Sequence, residues 1–317
     1  MLRYANIFLL MLVCTVATAH TKLTPEIRHF ISLNGDLGYA ALLHNIPNHP
    51  SSTGINANIG VAYRLYYNRF LMSIGAEGAY QLNANRIEDR DFTIPMKDTE
   101  GEAFDMHVLV AQSQDRTHMV NLNIPILFGG EWNRFYFVAG PKVAINVYGA
   151  AMSKALYTTY GEYNLYYDDF HDMPNHQFVT DNTMQSGTLP MKWNLNILAH
   201  AEIGVRLGKI DNRSRSAKNN IRMYIGAYAD CGILNLVSGK YAYPIFDYHE
   251  TEDQGVQFYV QPLMRSNLTN GAIVRNLNVG IKYTIAFEIL QPGKSYKYEH
   301  KKTKQLKRNR GGNQLIY

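Results

Sequence analysis

From Ala272 to Ile289 the apolar side chains fall on alternate positions: Ile273, Leu277, Val279, Ile281, Tyr283, Ile285, Phe287 and Ile289, with Arg275 the one exception. The intervening positions are small or polar, among them Asn276, Asn278, Gly280, Lys282, Thr284 and Glu288. Side chains on a strand alternate between two faces, so this pattern predicts a strand with one apolar surface, long enough to cross a membrane when tilted. The same period recurs over 54–67 (Ile55, Ile59, Val61, Tyr63, Leu65, Tyr67) and over 70–82 (Phe70, Met72, Ile74, Tyr80, Leu82), joined by Asn68-Arg69 as a hairpin. A second hairpin runs through Val120, Leu122, Ile124, Ile126 and Phe128, turns at 132–134, and returns through Phe135, Phe137, Val143, Ile145 and Val147. A third joins 193–207 to 221–233, and residues 30–43 supply a further strand. The pattern therefore predicts an all-β chain of eight antiparallel strands. Ten remain open, because 106–112 and 256–262 have strand-like composition; both read best as extensions of existing strands.

A soluble sandwich also alternates, but it turns its polar face to solvent. Here that face is mostly Gly, Ala, Ser and Asn with single charges, which suits a crowded barrel lumen. Aromatics gather at the ends of the apolar segments (Tyr63, Tyr67, Phe70; Trp132, Phe135, Phe137; Trp193; Tyr283, Phe287), as girdles at two membrane interfaces require. Connections are short at 68–69, 132–134 and 209–219, and longer at 44–53, 86–116, 154–191 and 240–271. An up-and-down transmembrane β-barrel with periplasmic termini has this alternation of short turns and long outer loops. The three longest loops are acidic, with eight acidic and four basic residues in 86–116, five and one in 154–191, and four and two in 240–271.

Residues 1–19 carry Arg3, an apolar run from Ala5 to Val16 and the small-x-small end Ala17-Thr18-Ala19, the form of a cleaved signal peptide. The expected organisation is a signal peptide over 1–19, an outer-membrane barrel over 20–290 and a basic periplasmic tail over 291–317. The formal net charge of +5 comes from that tail: Lys294 to Arg310 holds eight basic residues and one acidic. Such a block reads as a solvated segment or as an electrostatic contact with an anionic periplasmic surface such as the cell wall. Export argues against a nucleic-acid partner. The chain is 46% apolar and 12% aromatic, which excludes a disordered polymer. Its two cysteines, Cys14 and Cys231, leave the mature chain without a disulfide.

The signal peptide, the alternating strands, Asn123-Ile124-Pro125-Ile126-Leu127 and Val138-Ala139-Gly140-Pro141-Lys142-Val143 together resemble the PorT-like outer-membrane β-barrel family common in Bacteroidota. The resemblance covers roughly residues 28–290, and it implies a barrel in the outer membrane and an accessory role in protein secretion. The basic tail departs from it, since barrels of this kind end on the strand that carries the assembly signal.

The inward positions carry Asp36, Glu77, Glu202, Asp230 and Glu288 against Arg64, Lys142, Arg206, Arg222 and Lys282, five of each sign. Eight strands enclose a space that side chains nearly fill, and buried charges there must pair. The expectation is a salt-bridged network that plugs the lumen; a narrow pore is the alternative. His200, two residues before Glu202, points into the same network. Among the loops, Tyr157, Tyr160, Tyr163, Tyr166, Tyr167 and Phe170 stand among acids as candidates for binding a partner or carbohydrate, or for packing into a cap. Asp168, Asp169, His171, Asp172 and His176 have no spacing of a defined metal site. No nucleophile motif such as GxSxG occurs. The sequence reads as a non-enzymatic membrane barrel without cofactor or metal, bathed in outer-membrane lipid, with a structural or interaction role.

Overall fold

The computed structural model describes residues 27–98, 101–163, 168–170, 178–191, 195–208, 221–237, 239–251 and 255–289. The signal peptide, the 209–219 turn, Trp193, Tyr166, Tyr167, His171, Asp172, His176 and the basic tail lie outside these residues. Eight long strands form: β1 (Ile27–His44), β2 (Ser52–Tyr67), β3 (Phe70–Lys97), β4 (Ala103–Trp132), β5 (Phe135–Tyr163), β6 (Asn196–Leu207), β7 (Ile221–Gly232) and β8 (Val274–Glu288). Each pairs antiparallel with its chain neighbours, and β1 also pairs with β8, so the ring closes. Closure removes the exposed sheet edges that lipid could not hydrogen-bond.

Register turns the sequence alternation into two surfaces. Leu37 lies opposite Ile281 and Ala57, while Asp36 lies opposite Lys282 and Asn58. The outward set is exposed despite being apolar, with Leu37 at 70% and Ile59 at 76%, which is the arrangement a lipid-facing wall requires. Two tight turns, with Asn68 and Asn133 at positive φ, close one end; asparagine accepts that conformation where most side chains do not. Tyr63, Tyr67, Phe70, Trp132, Phe135, Phe137, Tyr283 and Phe287 all sit near this short-turn end, so they make one girdle instead of two. The opposite edge is marked by exposed Tyr39, Tyr80 and Tyr148. From Phe70 to Tyr80 the strand climbs about 25 Å at about 3.3 Å per residue and about 40° of tilt, the height of an outer-membrane apolar band.

The strands do not stop there. β3, β4 and β5 run for 28, 30 and 29 residues, far beyond the ~10 needed to cross. The expected long loop 86–116 is thus mostly paired strand, with β3 reaching Lys97 and β4 beginning at Ala103. Residues 106–112 extend β4 as foreseen, whereas 256–262 do not extend a barrel strand. Gly255–Val260 instead pairs with Phe246–Thr251 in a separate two-stranded ribbon. The expected loop 154–191 begins with the end of β5, and short strands at Asn182–Gln185 and Leu189–Pro190 run back along β5. Register shifts at Val110/Gln112 in β4 and at Asn146/Tyr148 in β5, opposite Val120 and Asn121, reverse which parity of each strand faces inward and break the alternation where the extension begins.

Two buried apolar clusters lie inside the ring. One, near the short turns, holds Phe30, Tyr66, Leu71, Leu127, Tyr136, Val138, Tyr224 and Ala286. The other, far larger, lies at the long-loop end and joins Phe104, Met106, Val108, Val110 and Met119 to Phe178, Met184, Ile245, Val260, Leu263 and Met264 from the loops.

With Cys231 replaced by Ser, a cysteine at Lys97 should react with a membrane-impermeant maleimide in intact cells, and one at Arg134 only after permeabilisation. The reverse pattern would invert the topology.

Candidate functional site in the lumen and the outer extension

The middle of the lumen is held by a closed ring of six ionisable side chains from five strands. Lys142 Nζ lies 3.0 Å from Asp230 and 3.2 Å from Glu77. Lys282 Nζ lies 2.9 Å from Glu77 and 3.6 Å from Glu202. His200 completes the circuit, with Nδ1 2.5 Å from Asp230 and Nε2 3.6 Å from Glu202. Carboxylate and base alternate all the way round. Neutral hydrogen bonds fill in the remaining positions: Tyr136 donates to Glu202 (2.6 Å) and Asn34 to Glu77 (2.8 Å).

These side chains reach the axis because residues facing them are small. A Cβ on Gly60 would lie 2.6 Å from Glu77 Cγ, and one on Gly226 would lie 2.4 Å from the Tyr136 hydroxyl. The glycines on the polar face are thus space for the long side chains opposite them.

A second group lies toward the short turns. Glu131 accepts from Arg206 (2.7 Å), Arg222 (3.4 Å) and the Tyr224 hydroxyl (3.0 Å). The Arg222 guanidinium rests over the Phe30 and Tyr66 rings, and Arg64 over Tyr224. Rings and guanidinium planes stack here as they do at desolvated cation–π contacts.

Of the ten charges expected in the lumen, Glu77, Lys142, Glu202, Asp230 and Lys282 meet in the ring. Arg206 and Arg222 meet at Glu131. Asp36 is buried beside the ring and accepts from Asn58 at 2.6 Å. Arg64 is buried and donates to Thr284. Glu288 departs from the expectation: it sits at the rim, 4.0 Å from Arg28, and takes no part in either group. Glu131 takes the place assigned to it. The inward parity of Asn123, Pro125 and Leu127 already pointed Glu131 inside, but its position beside the turn concealed that. The same parity marks Tyr66, Tyr136, Tyr224 and Tyr228, buried tyrosines that carry no formal charge to single them out in the sequence.

The loop aromatics divide differently from the expectation. Tyr157 and Tyr163 are buried within the outer apolar cluster, Tyr163 stacked on Phe104 and Tyr157 against Phe258. They are core residues, because β5 continues through them and turns them inward. Tyr160, of opposite parity, faces out and stacks on His107 at 4.7 Å, and His107 meets Glu162 at 3.1 Å. Phe170 belongs to a three-residue strand, Asp168–Phe170, paired with β5. Exposed Tyr243, Tyr248 and Tyr259 from the 240–271 segment share the outer surface. Among the described residues no group of His, Cys, Asp and Glu is placed to hold a metal ion.

A closed eight-stranded ring with a lipid-facing apolar band and a charged interior agrees with the family comparison. The model described as "Outer membrane protein beta-barrel domain" matches residues 45–248, well over half of the chain. This chain belongs to the outer membrane protein β-barrel family. Its place is accordingly the outer membrane.

Three solved structures are similar to this barrel. Neisserial surface protein A is 10% identical, covering 80% of this chain and 96% of its own, with a TM-score of 0.28. Ail of Yersinia pestis, solved with the heparin analogue sucrose octasulfate, is 9% identical, covering 81% and 98%, with a TM-score of 0.22. The outer membrane protease OmpT from Escherichia coli is 11% identical, covering 86% and 100%, with a TM-score of 0.26. At these scores the likeness carries no inference about this chain's activity. A comparison with curated proteins gives no match.

The ring geometry ranks two substitutions. Glu77→Gln removes the carboxylate that both lysines share and should cost about 3–5 kcal/mol, the range for breaking a buried pair. Glu202→Gln should cost less, since Lys282 keeps Glu77, and Glu162→Gln on the surface less than about 1 kcal/mol. Thermal melts in detergent check the order; equal melting of the Glu77 and Glu162 variants would mean that water hydrates the lumenal charges.

Proposed function

We propose that this outer-membrane barrel is closed to solutes and serves as a membrane-anchored platform, presenting a folded acidic and aromatic surface outside the cell to a cationic partner. The observation that carries the reading is the stacking of three filled levels along one axis: the aromatic and arginine floor, the six-residue ring, and the outer apolar cluster. A channel would leave at least one of these open to water. The surface that remains for recognition is the outer face of the extension, where His107, Tyr160 and Glu162 lie beside Asp105, together with the exposed Tyr243, Tyr248 and Tyr259 of the 240–271 segment. Rigid aromatic rings among carboxylates suit cationic groups, through the ring face and the charge together.

A narrow pore is the second reading, and one observation favours it. Buried polar atoms of Arg64, Asn34, Asn123, Asn196 and Asn278 have no hydrogen-bond partner among the described residues, and such atoms require water. Planar-bilayer recording separates the two. The closed barrel should give no steady conductance, and a sustained open level would replace the platform reading with the pore.

The motifs over 123–127 and 138–143 support a finer role as an accessory of protein secretion, by their resemblance to PorT-like barrels. Under that role, deletion of the gene should stop display of proteins exported to the cell surface. Unaltered display would remove it and leave the platform.

A further inference from the structure

The segment between β7 and β8 is built as a unit of its own. Its two ends are joined by one side chain: Asn235 donates to the Ala272 carbonyl at 2.9 Å and accepts from the amides of Val274 (3.0 Å) and Val237 (3.4 Å). Leu236 N also donates to the Val274 carbonyl. Within the segment, the ribbon of Phe246–Thr251 and Gly255–Val260 continues through Gln261 N to Ile245 O. Asn267 N donates to Tyr243 O, Asn270 is bonded to the Tyr241 backbone through both ends of its amide, and Ser266 and Thr269 stabilise the two short turns. A segment whose ends meet and whose backbone is bonded internally moves as one piece.

Its far end lies over the outer mouth of the barrel. Leu263 and Met264 are buried there against the apolar cluster, Phe246 stacks on Phe92, and Phe258 leans on Tyr157. At the same place a polar contact interrupts this apolar layer. The Leu263 amide donates to Asp115 Oδ2 at 2.7 Å, and Ser153 Oγ donates to Asp115 Oδ1 at 2.5 Å. Ser153 also bonds Ser186, which belongs to the other long connection. Asp115 is 5% exposed, and its cross-strand neighbours on β3 and β5, Asn85 and Ser153, are neutral.

We propose that the described residues of the β7–β8 connection, 236–237, 239–251 and 255–272, form a hinged lid over the barrel's outer mouth, swinging about Asn235 and held shut where the Leu263 amide meets Asp115. The lid rests on the reading of the barrel as closed at its outer end and names the element that closes it. The contact gives the segment one directional anchor, at a defined point where nonpolar surfaces alone would allow sliding.

The latch is also sensitive to pH, with a definite sign. Asp115 lies outside the membrane-crossing part of β4, and burial raises its carboxyl above the ordinary value of 3.8 against the lowering effect of its two hydrogen bonds. Opening returns it to solvent and to the ordinary value. The closed form therefore binds the proton more tightly, so closure gains as pH falls through the raised value and weakens as pH rises through it.

Hydrogen exchange on the full-length barrel in lipid nanodiscs, with rates expressed as protection factors, tests the lid. Asp115→Ala should raise exchange over 257–271 about ten-fold or more while β1 and β8 stay protected. Asp115→Asn keeps an acceptor for the Leu263 amide, so protection should persist and its dependence on pH should vanish. Unchanged exchange over 257–271 in the Ala variant would overturn the latch. Exchange that rises equally in the barrel strands would overturn the lid as an independent unit, and a pH dependence surviving in the Asn variant would remove Asp115 as its source. Exchange reads the lid whether or not the barrel conducts, so a barrel that passes ions with these residues still protected would end the closed-barrel reading on its own.

Discussion

The alternating circuit of Asp230, Lys142, Glu77, Lys282, Glu202 and His200 is the constraint on which the rest of the interior depends. Each member is buried, and an unpaired charge at any position would leave its neighbours uncompensated. Because the six come from five strands, the circuit forms only when those strands hold one mutual register. A slip of a single residue would send the charges into lipid and the isoleucines into the lumen. The ring thus acts on register as a lock, and the outward apolar faces reinforce the same choice from the other side of the wall.

Around that level the two ends are sealed by different chemistry. At the short-turn end, arginines lie against tyrosine and phenylalanine rings, and Arg206 and Arg222 converge on Glu131, so charge and apolar surface share one layer. At the long-loop end, the seal is an apolar core made partly by barrel strands and partly by the connections that fold over them. Three strands continue well past the membrane because they have this core to line. Without it, a sheet in water would expose a face that in the membrane is satisfied by side chains crossing the lumen.

The outer region therefore behaves as a small soluble domain grown on a membrane barrel. Its inward side follows the rules of a globular interior, with Phe104 stacked on Tyr163 and edge-on to Phe178. Its outward side carries acids, His107 and Tyr160. Asp115 and Ser153 are among its buried polar residues, and they tie both long connections to the strands beneath them.

The period-two pattern by itself determined the eight strands, the two tight asparagine turns, the lipid-facing set and most of the charges that meet inside, because alternation is a local property that survives whatever the strands pair with. It could not determine the reach of β3, β4 and β5, since bulges at 110–112 of β4 and 146–148 of β5 reverse the parity and the acids of 86–116 have the composition of a loop. Nor could it separate Tyr157 and Tyr163, which are core, from Tyr160, which is surface: all three lie in one aromatic run, and only the continued strand assigns their faces. Which carboxylate meets which lysine, the replacement of Glu288 by Glu131, and the meeting of Leu263 with Asp115 depend on residues far apart in the chain. Those are decided by ring closure and strand register, which no local pattern encodes.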